Sequence, residues 1–350
     1  MRMTCDPSAQ AALEAKVAFL SDAPFPERTG PVARRETHMS WVFFVGQAVY
    51  KLKKPVRLPY LDFSTLARRE AACRAEFKLN QALAPEIYLG VVPLIRGAGG
   101  LQLGGEGEVV DWLVRMRRFD ETLTLESKLR DGSVRTGEVD ALADRLVRFY
   151  RRTARVPLTP AQNLRSWRAA LALNRRVLLD PRLGMPGGAV RAALAAQERF
   201  LRRRHGLLAG RVRGRRILDA HGDLRPEHVW LGPPVRIIDR LEFSPQLRAV
   251  DPLDEIAFLD LETEQLGRPD VGRRIRRRVA RALNEAPRPE LYDFYRSVRA
   301  TLRARLAIAH MLEPNPRTPE KWPRQARSYL AIALRDARRL SATLNRTGAR

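Results

Sequence analysis

The chain has 350 residues, 45% hydrophobic side chains, five Trp and a formal net charge of +25. That length and apolar content supply a sizeable core and exclude a disordered chain, while only two cysteines, Cys5 and Cys73, far apart, exclude a disulfide framework and leave a Cys/His zinc cluster unsupported. No run of 18 apolar residues occurs and Met1–Gln10 lacks an apolar signal core, so the expectation is a cytoplasmic protein with free thiols and no membrane partner.

Residues 1–34 read as a helical, then Pro-rich lead-in, and residues 35–116 as a small lobe of strands with one helix. Trp41–Val45 and Ala48–Leu52 form two apolar strands around a turn at Gly46-Gln47, with Lys51 at the end of the second. Arg carries nearly all positive charge elsewhere, yet Lys51, Lys53 and Lys54 sit together here, which suits a site that requires a compact ammonium; an exposed basic strand end would read the same way. Asp62 or Ser64 then caps a helix running through Asn80 to about Leu83, with Leu66, Cys73, Phe77 and Leu83 as its apolar side. Glu76 is the preferred carboxylate to hold Lys51, with Glu70 left open. The glycines at 97–100 and 104–107 separate short apolar strands at Val91–Ile95, Leu101–Leu103 and Val109–Met116, so they read as hairpin turns rather than a phosphate loop.

Residues 117–350 read as mainly helical, with amphipathic helices at Glu138–Arg152, Ala189–Leu208 and Leu291–His310. Pro314, Pro316 and Pro319 break the chain before a final helix over about Trp322–Asn345; His205 and His310 lie in helical surroundings as surface or packing residues. Inserted at 217–240 is a β-hairpin: Ile217-Leu218 leads into His221-Gly222-Asp223-Leu224-Arg225-Pro226-Glu227-His228, then Val229–Leu231, a Gly232-Pro233-Pro234 turn, and Val235–Ile238 with Asp239. Asp223 and Asp239 thus stand about 16 positions apart, each beside a short apolar strand. With a lysine upstream, this order is how phosphotransferases arrange a base and a metal ligand around one phosphate. Two close carboxylates call for a cation, and Mg²⁺ prefers carboxylate and phosphate oxygens. A pair of turn-capping aspartates is the plain alternative.

On these residues the chain resembles the aminoglycoside phosphotransferase-like family of the protein-kinase-like fold, over roughly residues 35–265. More narrowly, Ser40–Phe43, Val49–Pro55 and Leu61–Leu66 are similar to an uncharacterised bacterial group of that type, some of whose relatives carry an additional P-loop kinase domain; no Gly-x-x-x-x-Gly-Lys-Ser/Thr occurs here. The resemblance implies an α+β bilobal fold, with a small antiparallel-sheet N-lobe (35–116), a larger mainly helical C-lobe (117–350) and a shared cleft. It implies Asp223 as catalytic base, Asp239 as ligand of the ion that bridges the β- and γ-phosphates, and Lys51, held by Glu76, on the α- and β-phosphates. His221 and Asp254 would support the loop structurally. Arg115–Phe119, with Met116, would form the hinge where backbone meets adenine. The nucleotide would be ATP, or GTP, with Mg²⁺ or Mn²⁺.

Two departures stand out. His228 occupies the place of the Asn that is usually the second metal ligand, and neutral imidazole suits softer metals, so Glu242 is a candidate replacement. Where a Gly-rich phosphate loop is expected, Glu36-Thr37-His38-Met39-Ser40 stands, with Ser40 a candidate to cover phosphate. The expected function is ATP-dependent transfer of the γ-phosphate to a hydroxyl of a small molecule, an aminoglycoside being one choice among sugars, amino alcohols and nucleosides. A nucleotide-binding pseudokinase acting as a regulatory or interaction module is the alternative. Below it ranks an RNA-binding protein, suggested by the basic clusters at Arg202–Arg204, Arg211–Arg216 and Arg273–Arg278.

Overall fold

The computed structural model describes residues 7–348 apart from Pro59, Pro287, Pro314, Asn315 and Arg317, so the expectations for Cys5 and Pro314 lie outside the described residues. The chain divides into two compact units, a smaller one up to Thr124 that also contains 236–246, and a larger one containing 125–235 and 247–348. No described helix is long and apolar enough to cross a membrane.

The smaller unit is built on a six-stranded antiparallel sheet. In spatial order its strands are Ala33–Glu36, Ser40–Val45, Ala48–Lys53, Glu108–Arg117, Tyr88–Gly97 and Gly100–Leu103. Gly46 makes the first tight turn at φ +52°, a conformation glycine adopts without a Cβ penalty. The runs at 97–100 and 104–107 are hairpin connections, as their composition implies. Side chains alternate across a strand, so Tyr50 and Leu52 enter one apolar core with Phe43 and Leu113, while Lys51 and Lys53 both point to the opposite face. The helix Pro7–Asp22 adds Leu13, Val17 and Leu20 to that first core, so the expected lead-in is part of this unit. The helix Leu66–Asn80 meets the sheet through Cys73, packed with Tyr88 and Val114. Its N-cap is Thr65, whose hydroxyl accepts from the Arg68 amide, not the expected Asp62 or Ser64; Asp62 instead accepts from the Ser64 amide at 3.0 Å. The buried residues of this helix include Arg69, Glu76 and Asn80, so its inner face is largely polar.

In the larger unit the helices Thr136–Arg152, Pro289–Ala309 and Lys321–Gly348 fall close to their expected places. The expected helix at Ala189–Leu208 is two, Gly187–Arg203 and His205–Arg213, because Arg204 leaves the helical region at φ −129°, ψ 15°. A shared core joins Leu194, Phe200, Leu261, Phe294, Tyr295 and Leu330. Through the middle runs Pro252–Gln265, buried from Pro252 to Thr263 although it carries Asp254, Glu255, Asp260 and Glu262. Arginines of Pro289–Ala309 answer three of these charges: Arg299 pairs with Asp254, Arg303 with Glu262 and Arg296 with Asp260. Buried charges persist only when paired or hydrogen-bonded.

Gly272 lets the helix Pro269–Ala282 approach Pro252–Gln265 closely. A Cβ there would stand 2.3 Å from Asp260 Oδ1, 2.4 Å from Thr263 Oγ1 and 2.7 Å from Asp260 Cα. The last is backbone and cannot rotate away, so overpacking exceeds the ~1 kcal/mol that Ala gains over Gly in a helix. Gly272→Ala is expected to lower stability by about 1–3 kcal/mol, read as a fall in the urea midpoint with unchanged slope.

Candidate active site

One candidate group of site residues lies wholly in the smaller unit. Lys51 Nζ donates to Glu76 Oε1 and to Asp239 Oδ1, both at 2.9 Å. Two positions on, and therefore on the same strand face, Lys53 Nζ donates to Glu76 Oε2 at 2.6 Å and pairs with Glu242. Two lysines thus join three carboxylates, one from the helix and two from 236–246. Glu76 is fully buried, Lys53 1% exposed and the Glu242 side chain 8% exposed, whereas the Asp239 side chain is 42% exposed. Asp239 is therefore the one carboxylate of the three open to solvent.

Burial works against every charge in this network, and the neighbours decide each outcome. For Lys51 burial disfavours the ammonium, but Asp239 and Glu76 outweigh it and hold its pKa well above the ordinary value. For Glu76 burial raises the pKa, and Lys51 with Lys53 more than reverse that, so it stays a carboxylate. Glu242 has Lys53 as its partner and faces the charge of Glu76, so burial prevails and its pKa is raised.

Asp239 sits at φ +61°, a left-handed conformation that aspartate tolerates at a small cost. Hydrogen bonds fix it there: its amide donates to the Tyr88 hydroxyl at 3.0 Å, and the next amide, Arg240, donates to Asn80 Oδ1 at 3.0 Å. Asn80 in turn donates to the Glu76 carbonyl, which ties this turn to the helix that carries Glu76. Ser40, at the start of its strand, is 1% exposed, its amide donating to Thr37 Oγ1 at 3.0 Å. Met116 is half-buried in the strand Glu108–Arg117, opposite Val49 and Tyr88. At the end of that strand the Arg117 amide donates to Ile87 O and the Arg118 amide to Gln47 O.

A separate candidate group belongs to the larger unit. Leu218-Asp219 pairs antiparallel with Ala249-Val250, and the chain then turns at Gly222, φ +88°, to present Asp223. Glu255 holds this turn: its carboxylate accepts the Gly222 amide at 2.7 Å, the His221 amide at 3.3 Å and the Tyr150 hydroxyl at 2.8 Å. The supporting role expected of Asp254 falls to its neighbour, because adjacent helical residues point about 100° apart. Asp254 instead takes a two-pronged bond from Arg299, at 2.8 and 2.6 Å. Buried His221 accepts the Asp223 amide at Nδ1, 3.3 Å away, and so supports the loop from within.

Burial raises the pKa of Asp223, but Arg225 foremost, then His228 and Arg303, outweigh it, and the carboxyl is held below the usual range. Arg225 Nε donates to Asp223 Oδ2 at 3.0 Å, while its Nη1 lies 2.6 Å from Glu227 Oε1. His228 Nδ1 lies 2.8 Å from the Asp223 carbonyl and its Nε2 3.2 Å from Arg225 Nη2. Sequence reasoning passed over Arg225, Lys53 and Glu255 in these roles. Arg225 was visible inside the loop motif, but nothing in the sequence signals that Glu255 reaches back 33 positions to an amide.

No family model matches the chain. Uncharacterized proteins of Mycobacterium tuberculosis and Mycobacterium bovis are 33% identical to it over 304 residues, which is 85% of this chain and 57% of each relative. This chain therefore spans little more than half the length of the curated relatives it matches. Among solved structures, a choline/ethanolamine kinase family protein from Mesorhizobium loti superimposes with a TM-score of 0.54 at 15% identity, covering 93% of this chain and 99% of that one. Aminoglycoside phosphotransferase APH(4)-Ia does so with a TM-score of 0.50 at 13% identity, covering 87% and 94%. The chain shares the fold of these kinases. Within the kinase-like fold the strand lysine, the helix Glu and the late Asp form one hydrogen-bonded group, and the His-Gly-Asp loop is braced from below by Glu255.

Proposed function

We propose that the protein is an ATP-dependent phosphotransferase that passes the γ-phosphate to a hydroxyl of a small molecule. The observation that carries this reading is the Lys51 ammonium, fixed between buried Glu76 and exposed Asp239. A buried carboxylate keeps that lysine charged and pointed, which is what gripping nucleotide phosphates requires. The solved proteins of similar fold are named for small-molecule acceptors, choline, ethanolamine and aminoglycosides, which supports an acceptor of that size.

The donor set fits a hard divalent ion at one place. Asp239 offers exposed carboxylate oxygen, the ligand Mg²⁺ or Mn²⁺ prefers, beside a lysine that would share the phosphate charge. Bound there, the ion would neutralise charge on the β- and γ-phosphoryl oxygens. Lys51 would bind and orient the nucleotide phosphates. Asp223, ionised at neutral pH, would accept the proton of the acceptor hydroxyl, and Glu255 would hold the loop that aims it. Lys53 and Glu242 would keep Glu76 and the 236–246 turn in place without touching phosphate.

Calorimetry with ATP and GTP in Mg²⁺ or Mn²⁺ tests the reading. Binding should require the ion and weaken at least tenfold in both Asp239→Asn and Lys51→Ala, in keeping with the loss of one charge-assisted contact worth about 1.5–3 kcal/mol. Absence of nucleotide binding under every condition would overturn it.

A further inference from the structure

We infer that the Asp223 loop carries its own cation, the Arg225 guanidinium, in the place where a second metal ion would sit, and that the protein works with a single divalent ion. The inference rests on the phosphotransferase reading and concerns the number of ions that reading requires.

The donor and acceptor chemistry of His228 decides the point. The Asp223 carbonyl can only accept, so His228 Nδ1, 2.8 Å away, carries the proton and donates. The Arg225 guanidinium can only donate, so His228 Nε2, 3.2 Å from Arg225 Nη2, is the unprotonated nitrogen and accepts. The imidazole is therefore neutral and its one lone pair is already directed at a cation. A metal ion at His228 would need that same lone pair and would have to displace a guanidinium that cannot give up its charge.

Arg225 is anchored on every nitrogen. Nε donates to Asp223 Oδ2 at 3.0 Å, Nη1 lies 2.6 Å from Glu227 Oε1, and Nη2 meets His228. Burial disfavours its charge, while Asp223 and Glu227 overcome this and raise its pKa. His228 Nδ1 is also 3.9 Å from Asp223 Oδ2, so ring, carboxylate and guanidinium gather in one small space. An Asn at 228 would present a hard amide oxygen to that space; the imidazole presents a nitrogen suited to a guanidinium donor and ill-suited to Mg²⁺. The Arg–His pair thus does with one fixed positive charge what an Asn and a second ion would otherwise do.

The test counts Mn²⁺ ions by electron paramagnetic resonance on the full chain with a non-hydrolysable ATP analogue. The wild type should saturate at one ion per chain, and Asp239→Asn should remove it. The double variant Arg225→Gln/His228→Asn should saturate at two. Two ions in the wild type, an ion lost in His228→Ala, or a folded double variant that stays at one would each overturn the inference. No nucleotide-dependent Mn²⁺ at all would overturn the phosphotransferase reading and this inference with it, whereas two ions would overturn this inference alone. In case the double variant fails to fold, ¹⁵N-histidine NMR of the wild type gives an independent result: His228 should show the Nδ1–H tautomer, unchanged by Mg²⁺ in the presence of the analogue. The Nε2–H tautomer, or a Mg²⁺-induced shift at Nε2, would contradict the assignment.

Discussion

Asp223→Asn is expected to lower turnover by about 10²–10⁴-fold, the contribution of a well-placed general base, while nucleotide affinity stays at the wild-type level. The amide keeps the shape of the carboxylate and can still face Arg225, but it cannot take a proton. Steady-state rates with a responsive acceptor, beside calorimetry of the same variant, separate the two effects. Because neighbouring groups, Arg225 foremost, hold the carboxyl below the ordinary range despite its burial, Asp223 is already ionised at neutral pH. Wild-type turnover should therefore be level above about pH 5 and fall only where Asp223 takes up a proton, below the usual carboxylate value near 4. An acidic limb centred near pH 6 or 7 would assign the base elsewhere. A nucleotide-binding module without turnover predicts the same calorimetry and no change in its biological role on this substitution.

Lys53→Met should strongly destabilise the smaller unit. Lys53 is 1% exposed and its ammonium lies between Glu76 and Glu242, so Met preserves the bulk and removes the charge. Two carboxylates are then left together away from water, with Lys51 bonded to Glu76 and Asp239. Removing one partner of a buried ion pair costs about 3–5 kcal/mol, measurable by urea unfolding. The sign of the pH dependence follows from Glu242, whose folded pKa is already raised by burial and would rise further without Lys53. A group with a raised folded pKa binds its proton more readily in the native state, so its contribution is present at low pH and lost as pH rises through the folded value. The deficit should therefore be smaller at pH 5 than at pH 8. A deficit that is equal at both would mean Glu242 does not titrate with folding.

Much of the site was legible because its chemistry is tied to local signals. The alternation of Trp41–Val45 and Ala48–Leu52 placed a strand, the lysine cluster marked its end, and the order Lys51, Glu76, Asp223, Asp239 matched one kind of phosphate chemistry. What stayed hidden depends on contacts that leave no periodic trace. The inner face of Leu66–Asn80 is largely polar, so the apolar spacing of Leu66, Cys73 and Phe77 gave the helix but not Arg69, Glu76 and Asn80 as a buried set. Strand alternation put Lys53 on the face of Lys51, yet its pairing with a carboxylate 189 positions later is a tertiary fact. The break at Arg204 falls in a run of basic residues with no proline to announce it. Some arginines of the basic clusters that suggested nucleic acid are held by acids: Arg211 in a largely buried pairing with Asp251 and Glu285, and, nearer the surface, Arg274 with Asp140 and Arg278 with Asp144.

The smaller unit is not continuous in sequence, since the stretch 236–246 returns to it after residues 125–235 have gone to the larger one. On the ribosome, the nascent sheet and its helix emerge with Lys51 and Lys53 still lacking two of their three carboxylates. At about 5–20 residues per second, the wait for Asp239 and Glu242 after the last strand of the sheet lasts roughly 6–25 s. The smaller unit cannot mature in the order in which it is made, and a chain stalled near residue 235 would hold two lysines whose remaining partner carboxylates are not yet synthesised.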